Sequence, residues 1–349
     1  MSLTILSVGY TLAPVGANAV GGSEQVLSHL DRALVAAGHR SVVVAPEGSE
    51  VAGTLVPVPA VEGPLSNEVR ASAWSRHRDA IEAALRRWPI DLIHFHGLDF
   101  WAYRPDFAPM LATLHLPPDW YPADVFPLPE GLWVNCVSAS QQRAAPADPR
   151  FLAPVPNGVP VAALTTRQTK RGFALVLARI CPEKGVHLAV EAARRAGQSL
   201  LIGGQLFPYE AHERYFREEV APRLDARRRF LGPLGFARKR RFLTAARCLL
   251  VPSLVAETSS LVAMEALACG TPVIAFGNGA LPEIVEHGRT GFIVGSVAEM
   301  ADAIEAAGEL DPEICRSVAR ERFSVEAMAA RYFATYETIL AAAALRNTG

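Results

Sequence analysis

The sequence predicts an α/β protein built from two doubly wound, parallel-sheet domains. Short apolar runs alternate with helical patterns along nearly the whole chain, which is typical of parallel sheets covered by helices on both faces. A length of 349 residues suits two domains of ordinary size. A proline-rich segment, residues 144–169, interrupts the alternation, and the pattern restarts at Phe173.

Candidate strands are distributed over both halves of the chain. In the first half they are residues 3–8, 41–45, 92–94, 110–114 and 133–137, and in the second half 174–178, 200–202, 229–231, 248–251, 273–275 and 292–294. Most are followed by a turn containing Gly or Pro and then by a helix. We therefore expect one domain over residues 1–160, a second over 161–325, and a last helix over 326–345.

Composition limits the function classes. A net charge of −1 argues against a general nucleic-acid-binding protein. The five cysteines form no CxxC pair and no zinc-ligand spacing, which indicates a reduced, cytoplasmic compartment. No apolar run reaches the roughly 18 residues that a spanning helix needs. The excess of Arg over Lys and the abundance of Ala indicate a GC-rich bacterial genome.

The strongest chemical signal is the segment 257–273, ETSSLVAMEALACGTPV. The strand at 248–251 leads into a loop and then into a helix that should begin near Ser260, with Ser259 or Ser260 as its N-cap. The first amides of a helix lack partners within it, and its dipole favours an anion there by a few tenths to about 2 kcal/mol. A diphosphate is a suitable ligand for such a helix end.

Two carboxylates in this segment suit the rest of a nucleotide ligand. Glu265 lies about five residues into the helix, roughly 7.5 Å along its axis, and leans toward the N-terminus. A ribose diol offers two donors to such a carboxylate, while Glu257, in the preceding loop, would meet a sugar at the other end of the ligand. The alternative interpretation is an ordinary amphipathic helix with one capping carboxylate.

Two cations and a glycine pair add to this signal. Arg179 follows a predicted strand and Lys184 lies in the next loop, so both should project from the ligand edge of the second sheet. Each charge-assisted contact to phosphate contributes about 1.5–3 kcal/mol. The alternative is a surface Arg and Lys paired with Glu183 or Glu191. Gly21 and Gly22 open the first helix and allow close backbone approach, but no GxGxxG fingerprint of a dinucleotide site occurs.

Together these elements resemble the retaining glycosyltransferases of family 4, which have the GT-B fold of two Rossmann-like domains facing across a cleft. The most specific part is the E-x7-E element with the following Ala-Cys-Gly-Thr-Pro-Val. Weaker matches run through nearly the whole chain, at residues 21–22, 38–39, 91–96, 114–115, 156–159, 179–185, 230–232, 252–253 and 281–285.

The resemblance implies roles for individual residues. The catalytic set would be His115, Arg179, Lys184 and Glu257, with the two cations on the diphosphate, Glu257 on the transferred sugar and His115 beside the sugar and the acceptor. The donor site as a whole would comprise Gly21, Gly22, Arg179, Lys184, Gly204, Leu231, Glu257, Ser260, Leu261, Val262 and Glu265. The first domain would bind the acceptor, the second the nucleotide sugar, and the last helix would cross back to the first domain.

The implied reaction transfers a sugar, with retention, from a UDP- or GDP-sugar to a hydroxyl of a glycan, lipid-linked or small-molecule acceptor. No cofactor is expected. No DxD pair occurs, and Arg179, Lys184 and the helix end can stabilise the leaving diphosphate without a metal ion. The alternatives are a nucleotide-sugar 2-epimerase and a non-catalytic nucleotide-sugar-binding subunit. Oligomeric state is left open.

The sequence departs from the family pattern at two positions. Ser260 and Ala280 stand where glycines are usual, so the donor geometry is expected to differ in detail.

Other features have two interpretations each. His94 and His96 resemble a metal pair, but no third ligand is evident, so they are interpreted as strand-end histidines near the acceptor site, with a purely structural role as the alternative. The basic segment 70–87 is interpreted as a solvated helix face, with weak peripheral attachment to the inner face of the membrane as the alternative. The basic run 238–241 is interpreted as exposed charge. The aromatic residues Trp101, Trp120 and Tyr121 are equally compatible with stacking on a sugar ring and with core packing.

Overall fold

The computed structural model describes residues 2–61, 63, 66–166 and 168–346. The strands within these ranges are β1 (Thr4–Val8), β2 (Arg40–Pro46), β3 (Thr54–Val58), β4 (Leu92–Phe95), β5 (Met110–Leu114), β6 (Leu132–Cys136), β7 (Phe173–Leu177), β8 (Ser199–Gly203), β9 (Arg228–Phe230), β10 (Cys248–Val251), β11 (Val273–Phe276) and β12 (Gly291–Val294). Every neighbouring pair of these strands is parallel.

Helices follow most of the strands. They are α1 (Gly22–Ala36), α2 (Asn67–Arg87), α3 (Phe100–Tyr103), α4 (Ala139–Ala144), α5 (Val161–Leu164), α6 (Val186–Arg195), α7 (Glu210–Tyr215), α8 (Phe236–Ala245), α9 (Leu261–Ala268), α10 (Leu281–Ile284), α11 (Val297–Ala306), α12 (Pro312–Arg322) and α13 (Val325–Arg346). Short 3₁₀ turns occur at Pro118–Trp120, Ala123–Val125, Pro182–Lys184, Ala221–Arg223 and Ala307–Glu309, and a π-helical turn at Phe216–Val220.

The chain forms two compact units. Unit 1 contains Met1–Gly158 and Val325–Gly349, and unit 2 contains Val159–Ser324. Thus α13 belongs to unit 1, although it follows unit 2 in the sequence.

Each unit contains one sheet of the Rossmann type. The sheet of unit 1 has the order β3-β2-β1-β4-β5-β6, and that of unit 2, taken from its other edge, has the order β9-β8-β7-β10-β11-β12. Both orders place the first and fourth strands of the unit side by side, which is the doubly wound arrangement of nucleotide-binding domains. The predicted fold class is therefore confirmed.

Apolar alternation explains why helices cover both faces of the sheet in unit 2. Leu175 and Leu249 belong to one buried cluster, whereas Val176 and Leu250, the next residue on each strand, belong to another. Successive side chains of a strand point to opposite faces, so each strand contributes to two cores. Such double burial is why these strands appear in the sequence as continuous apolar runs.

The strand predictions were close to the structure, with one omission. The predicted strand at 133–137 lies one residue later than β6, and β3 was not predicted. Pro57 interrupts β3, and proline is tolerated in a strand mainly at a sheet edge, where β3 lies. All five cysteines are free and buried, where each packs as a small apolar side chain.

Candidate active site

The ligand edge of unit 2 lies where β7 and β10 run side by side. The chain leaves β7 toward one side of the sheet and β10 toward the other, so a crevice opens beyond the carboxyl ends of these two strands. The segment after β7 carries Arg179 and Lys184. The segment after β10 carries Glu257 and leads into α9. The residues singled out in the sequence therefore follow the two strands that border the crevice, which is where a doubly wound sheet binds its ligand.

Backbone contacts hold the two segments together. The amide of Leu254 donates to the carbonyl of Glu183 at 2.8 Å. Gly185 adopts a left-handed conformation with φ of 59°, and a Cβ there would lie 2.2 Å from the carbonyl oxygen of Pro252. Any other residue would push the two segments apart, so Gly185 fixes the position of Lys184 relative to the loop after β10.

Lys184 forms an ion pair with Glu257 inside this crevice. Its Nζ lies 2.5 Å from Oε1 of Glu257, and the two side chains are 21% and 13% exposed. The alternative pairing with Glu183 or Glu191 is therefore wrong. Arg179 is exposed, and within the described residues no carboxylate forms an ion pair with it. Lys184, a predicted phosphate ligand, is thus paired with Glu257, the predicted sugar ligand. Arg179, the other predicted phosphate ligand, is open to solvent.

The N-terminus of α9 presents amides that no side chain caps. Ser260 is the N-cap residue, as predicted, but its side chain makes no capping hydrogen bond. The hydroxyl of Ser259 is buried and has no partner in the described structure. The first amides of α9, those of Leu261 and Val262, therefore remain suited to an anionic ligand.

Glu265 is paired with a lysine that the sequence analysis did not assign to the site. Its Oε1 lies 2.5 Å from Nζ of Lys239, and the carboxylate is only 4% exposed. Its other oxygen, Oε2, is buried with no partner among the described residues. The interpretation of 238–241 as exposed charge is wrong at Lys239, whose side chain is 20% exposed. Lys239 balances the buried charge and leaves one carboxylate oxygen for a ligand.

A turn at Gly279 and Ala280 contacts the backbone of Glu257 and fixes its position. The amide of Ala280 donates to the carbonyl of Glu257 at 2.7 Å. Gly279 has a φ of 64°, and a Cβ there would lie 2.3 Å from the same carbonyl oxygen. Ala280 has an ordinary φ of −78°, so the alanine that replaces the usual glycine is unstrained. The same holds for Ser260, whose φ is −143°.

Gly204 and Leu231 lie at the same edge, beyond β8 and at the end of β9. The amide of Gly204 donates to the carbonyl of Gly232 at 2.9 Å, and that of Leu231 to Ile202 at 2.8 Å. A Cβ on Gly204 would lie 1.7 Å from the carbonyl oxygen of Ala178, the residue before Arg179. Gly204 therefore allows the backbone segments behind Arg179 to pack closely.

Unit 1 has its own crevice beyond β1 and β4. Gly21 is the N-cap of α1, and Gly22 is its first residue. Glu24 is buried over this helix end, where its carboxylate accepts a hydrogen bond from Ser23 at 3.0 Å. Burial raises the pKa of Glu24. A phosphate at Gly22 would therefore meet a carboxyl group already in place, which makes this helix end a poorer anion site than that of α9.

Three histidines, His94, His96 and His115, lie together at the ends of β4 and β5. His96 Nδ1 lies 3.1 Å from His115 Nε2, and the rings of His94 and His96 are 4.0 Å apart. Burial lowers the pKa of His115 to about 4 and those of His94 and His96 well below their usual range. All three are therefore neutral near pH 7.

The hydrogen bonds of His94 define its tautomer. Thr113 donates its hydroxyl proton to Asn135 at 2.7 Å, so it accepts from His94 Nε2 at 2.8 Å. His94 Nδ1 then accepts from the hydroxyl of Tyr336 at 2.8 Å. Tyr336 belongs to α13, which thus completes the polar core of unit 1. Both ring nitrogens of His94 are thus bonded to protein groups, as a structural role for this residue requires.

The aromatic residues of unit 1 differ in exposure. Tyr121 is 5% exposed and packs in the core, whereas Trp120 is 63% exposed. Trp74 of α2 donates its indole proton to Asp99 at 2.6 Å, so the one tryptophan of the basic segment 70–87 faces inward. Within the described ranges, no helix has both the length and the hydropathy that crossing a membrane would require.

Comparisons with known proteins agree with this architecture. Residues 20–162 match a family described as Glycosyltransferase Family 4, and residues 172–309 match one described as Glycosyl transferases group 1. The phosphatidyl-myo-inositol mannosyltransferase of Mycobacterium leprae is 26% identical over 94% of this chain and 96% of its own length.

Solved structures show the same fold. The sucrose-phosphate synthase of Thermosynechococcus elongatus is 22% identical, aligns over 97% of this chain and 100% of its own, and gives a TM-score of 0.79. Anabaena Alr3699/HepE in complex with UDP and glucose is 18% identical, aligns over 96% and 99% of the two chains, and gives a TM-score of 0.73.

Proposed function

The chain is a glycosyltransferase of family 4 with the GT-B fold, and on this premise we propose that it transfers a sugar, with retention and without a metal ion, from a nucleoside-diphosphate sugar to an acceptor hydroxyl. The observation that carries the proposal is the crevice beyond β7 and β10. Arg179 and Lys184 reach it on the segment after β7, and the uncapped amides of α9 reach it on the segment after β10.

The leaving group determines what this crevice must do. When the bond between the anomeric carbon and phosphate oxygen breaks, the diphosphate gains negative charge. Two cations and a helix N-terminus at this crevice can stabilise that charge, and the ion pair with Glu257 holds Lys184 in place before the reaction. They supply what Mg²⁺ provides in metal-dependent transferases, which is the reason for proposing metal-independent turnover.

The ion pair between Lys184 and Glu257 has a specific part in this proposal. Without donor, each neutralises the other in a partly buried crevice, where either charge alone would be unfavourable. With donor bound, Lys184 has further N–H groups for a phosphate oxygen, and Glu257 has a second oxygen for sugar hydroxyls. The pair thus positions the phosphate and the sugar on either side of the bond that breaks.

The ribose is assigned to Glu265. Its partnerless Oε2 accepts from a ribose hydroxyl, while Lys239 pairs with Oε1. An unsatisfied buried oxygen costs about 1–3 kcal/mol, and a bound ribose removes that cost. A ligand that donates a hydrogen bond to Oε2 regains this energy, and a ribose hydroxyl is such a donor.

Acceptor binding is assigned to unit 1 and to His115. Because burial keeps His115 neutral, it acts as a hydrogen-bond partner of a hydroxyl and carries no charge of its own near pH 7. In the proposed same-face mechanism, the departing phosphate oxygen takes the acceptor proton while the new glycosidic bond forms. His115 then orients the hydroxyl and is not required to be its base.

The donor is proposed to be a UDP- or GDP-sugar, and the acceptor a glycan, a lipid-linked sugar or a small molecule. Support comes from the UDP and glucose bound in the Anabaena structure and from the phosphatidyl-myo-inositol named for the mycobacterial relative.

A thermal-shift screen tests the donor class first. UDP-, GDP- and ADP-sugars are each added to the full chain, because a ligand that binds only the folded state raises the melting temperature as its concentration exceeds Kd. The best donor is then incubated with candidate acceptors in EDTA, and the anomeric configuration of the product is determined by NMR. An inverted product would overturn retention, and an epimer formed without acceptor would indicate an epimerase.

A further inference from the structure

A cysteine, a glutamate and a histidine converge in unit 2 outside the roles assigned above. One atom each of Cys181, Glu183 and His212 lies within 4.8 Å of the others, and they form the one such group found in the described part of the chain. We propose that these three residues bind a zinc ion, with water as the fourth ligand. The proposed site is distinct from the diphosphate site and takes no part in sugar transfer.

The donor set suits zinc in its chemistry. Thiolate, imidazole and carboxylate are the usual ligands of Zn²⁺, and three protein ligands with one solvent ligand complete a tetrahedral shell. On binding, the Cys181 thiol releases its proton to solvent, and the thiolate and the Glu183 carboxylate then balance the two charges of the ion. The two negative ligands are needed because Arg179 and Lys184, on the same segment, already place positive charge near the ion.

His212 supplies an independent observation. Its Nδ1 atom is buried and has no hydrogen-bond partner in the described structure. The ring packs edge-on against Tyr209 at 5.1 Å, and the backbone amide of His212 donates to the carbonyl of Tyr209 at 2.9 Å. A buried imidazole nitrogen without a hydrogen-bond partner is unfavourable. Coordination of a metal ion by the His212 ring would hold that ring in one orientation.

The surroundings allow the ion to enter. Cys181 is fully buried, and its Sγ lies 3.7 Å from the carbonyl oxygen of Arg179. Glu183 and His212 are half-buried, so the group is closed on its inner side and open on its outer side. Zinc needs ligand atoms roughly 3.3–3.8 Å apart around bonds of 2.0–2.3 Å. The ligand atoms, which lie within 4.8 Å of one another, would therefore move closer together on binding the ion.

The position of the group predicts what the ion does. Cys181 and Glu183 flank Pro182 in the turn that carries Lys184, whereas His212 lies in the first turn of α7. An ion bound to all three would connect this turn to α7. Zinc should therefore raise the thermal stability of unit 2 and leave the strands unchanged.

Cobalt titration of the EDTA-treated full chain tests the proposal without measuring activity. Tetrahedral Co²⁺ bound to a thiolate has a near-ultraviolet charge-transfer band and strong visible bands, and added Zn²⁺ should abolish both. We expect Cys181→Ser to remove the charge-transfer band and His212→Ala to weaken Zn²⁺ binding at least tenfold, since even outer-shell changes cost 10- to 100-fold.

Matched controls are Cys136→Ser and His287→Ala, which change a buried thiol and an exposed imidazole elsewhere; both should bind as the unchanged chain does. The proposal is overturned if the unchanged chain shows no thiolate band, or if Cys181→Ser retains it. Neither outcome bears on the sugar-transfer proposal. That proposal is tested separately, by measuring turnover of the donor by the EDTA-treated enzyme.

Discussion

Replacement of Lys184 by methionine should lower kcat/KM by about 10- to 150-fold. The change keeps the length of the side chain and removes its charge. One charge-assisted contact with phosphate is worth about 1.5–3 kcal/mol, and each 1.36 kcal/mol corresponds to a factor of ten in rate. The lost contact belongs to the leaving group, so the loss should appear mainly in kcat.

The substitution also leaves Glu257 without its partner. That carboxylate is 13% exposed, so an unpaired charge would destabilise the folded state and confuse the kinetic result. The double variant Lys184→Met/Glu257→Gln removes both charges and should recover stability without recovering activity. Circular dichroism and a melting curve establish that each variant is folded before its rate is measured with saturating acceptor.

Arg195→Met provides the matched control. Arg195 also forms an ion pair at 2.5 Å, with Glu191, but on the surface of α6 where both side chains are about half exposed. Such pairs contribute little, so the rate should change by less than twofold. If Lys184→Met keeps kcat/KM within threefold of the unchanged enzyme, Lys184 does not bind the leaving phosphate and the reasoning fails.

Three further predictions concern the ribose site, metal dependence and pH. Glu265→Gln should raise KM for the donor about 10-fold or more with a smaller effect on kcat, consistent with loss of a buried charged contact; an unchanged KM would remove Glu265 from the ribose site. Turnover should persist in EDTA within about threefold, and a complete loss restored by Mg²⁺ would contradict metal independence. Burial lowers the pKa of His77 from 6.5 to about 4, so the fold favours its neutral form, and stability is lost as pH falls below 6.5. Between pH 7 and pH 5 this group alone should cost about 2 kcal/mol, and His77→Leu, followed by urea unfolding at both pH values, should abolish that part of the decline.

The sequence contained enough information for the fold because the signals are local. Strands buried on both faces, such as β7 and β10, appear as apolar runs whose order and spacing define a doubly wound sheet. The positions of Arg179 and Lys184 after β7, and of Glu257 before α9, followed from the same local pattern. Topology alone then brings them to one crevice.

Other parts of the site depend on contacts between distant residues. Lys239 lies 26 residues before Glu265, and Tyr336 lies 242 residues after His94, so no spacing in the sequence indicates either pair. The side chain of Ser260 illustrates a different limit. Serine is favoured at N-cap positions, yet here it makes no capping bond and leaves the helix amides available.

The central claim is that Arg179, Lys184 and the start of α9 hold the same diphosphate. Calorimetric titration with UDP, GDP and their nucleosides measures how much the diphosphate adds to binding, first in the unchanged chain and then in Arg179→Leu/Lys184→Met. We expect the diphosphate to add at least tenfold in affinity to the preferred nucleoside, and most of that gain to vanish in the variant. A gain of the same size in both proteins would contradict the claim.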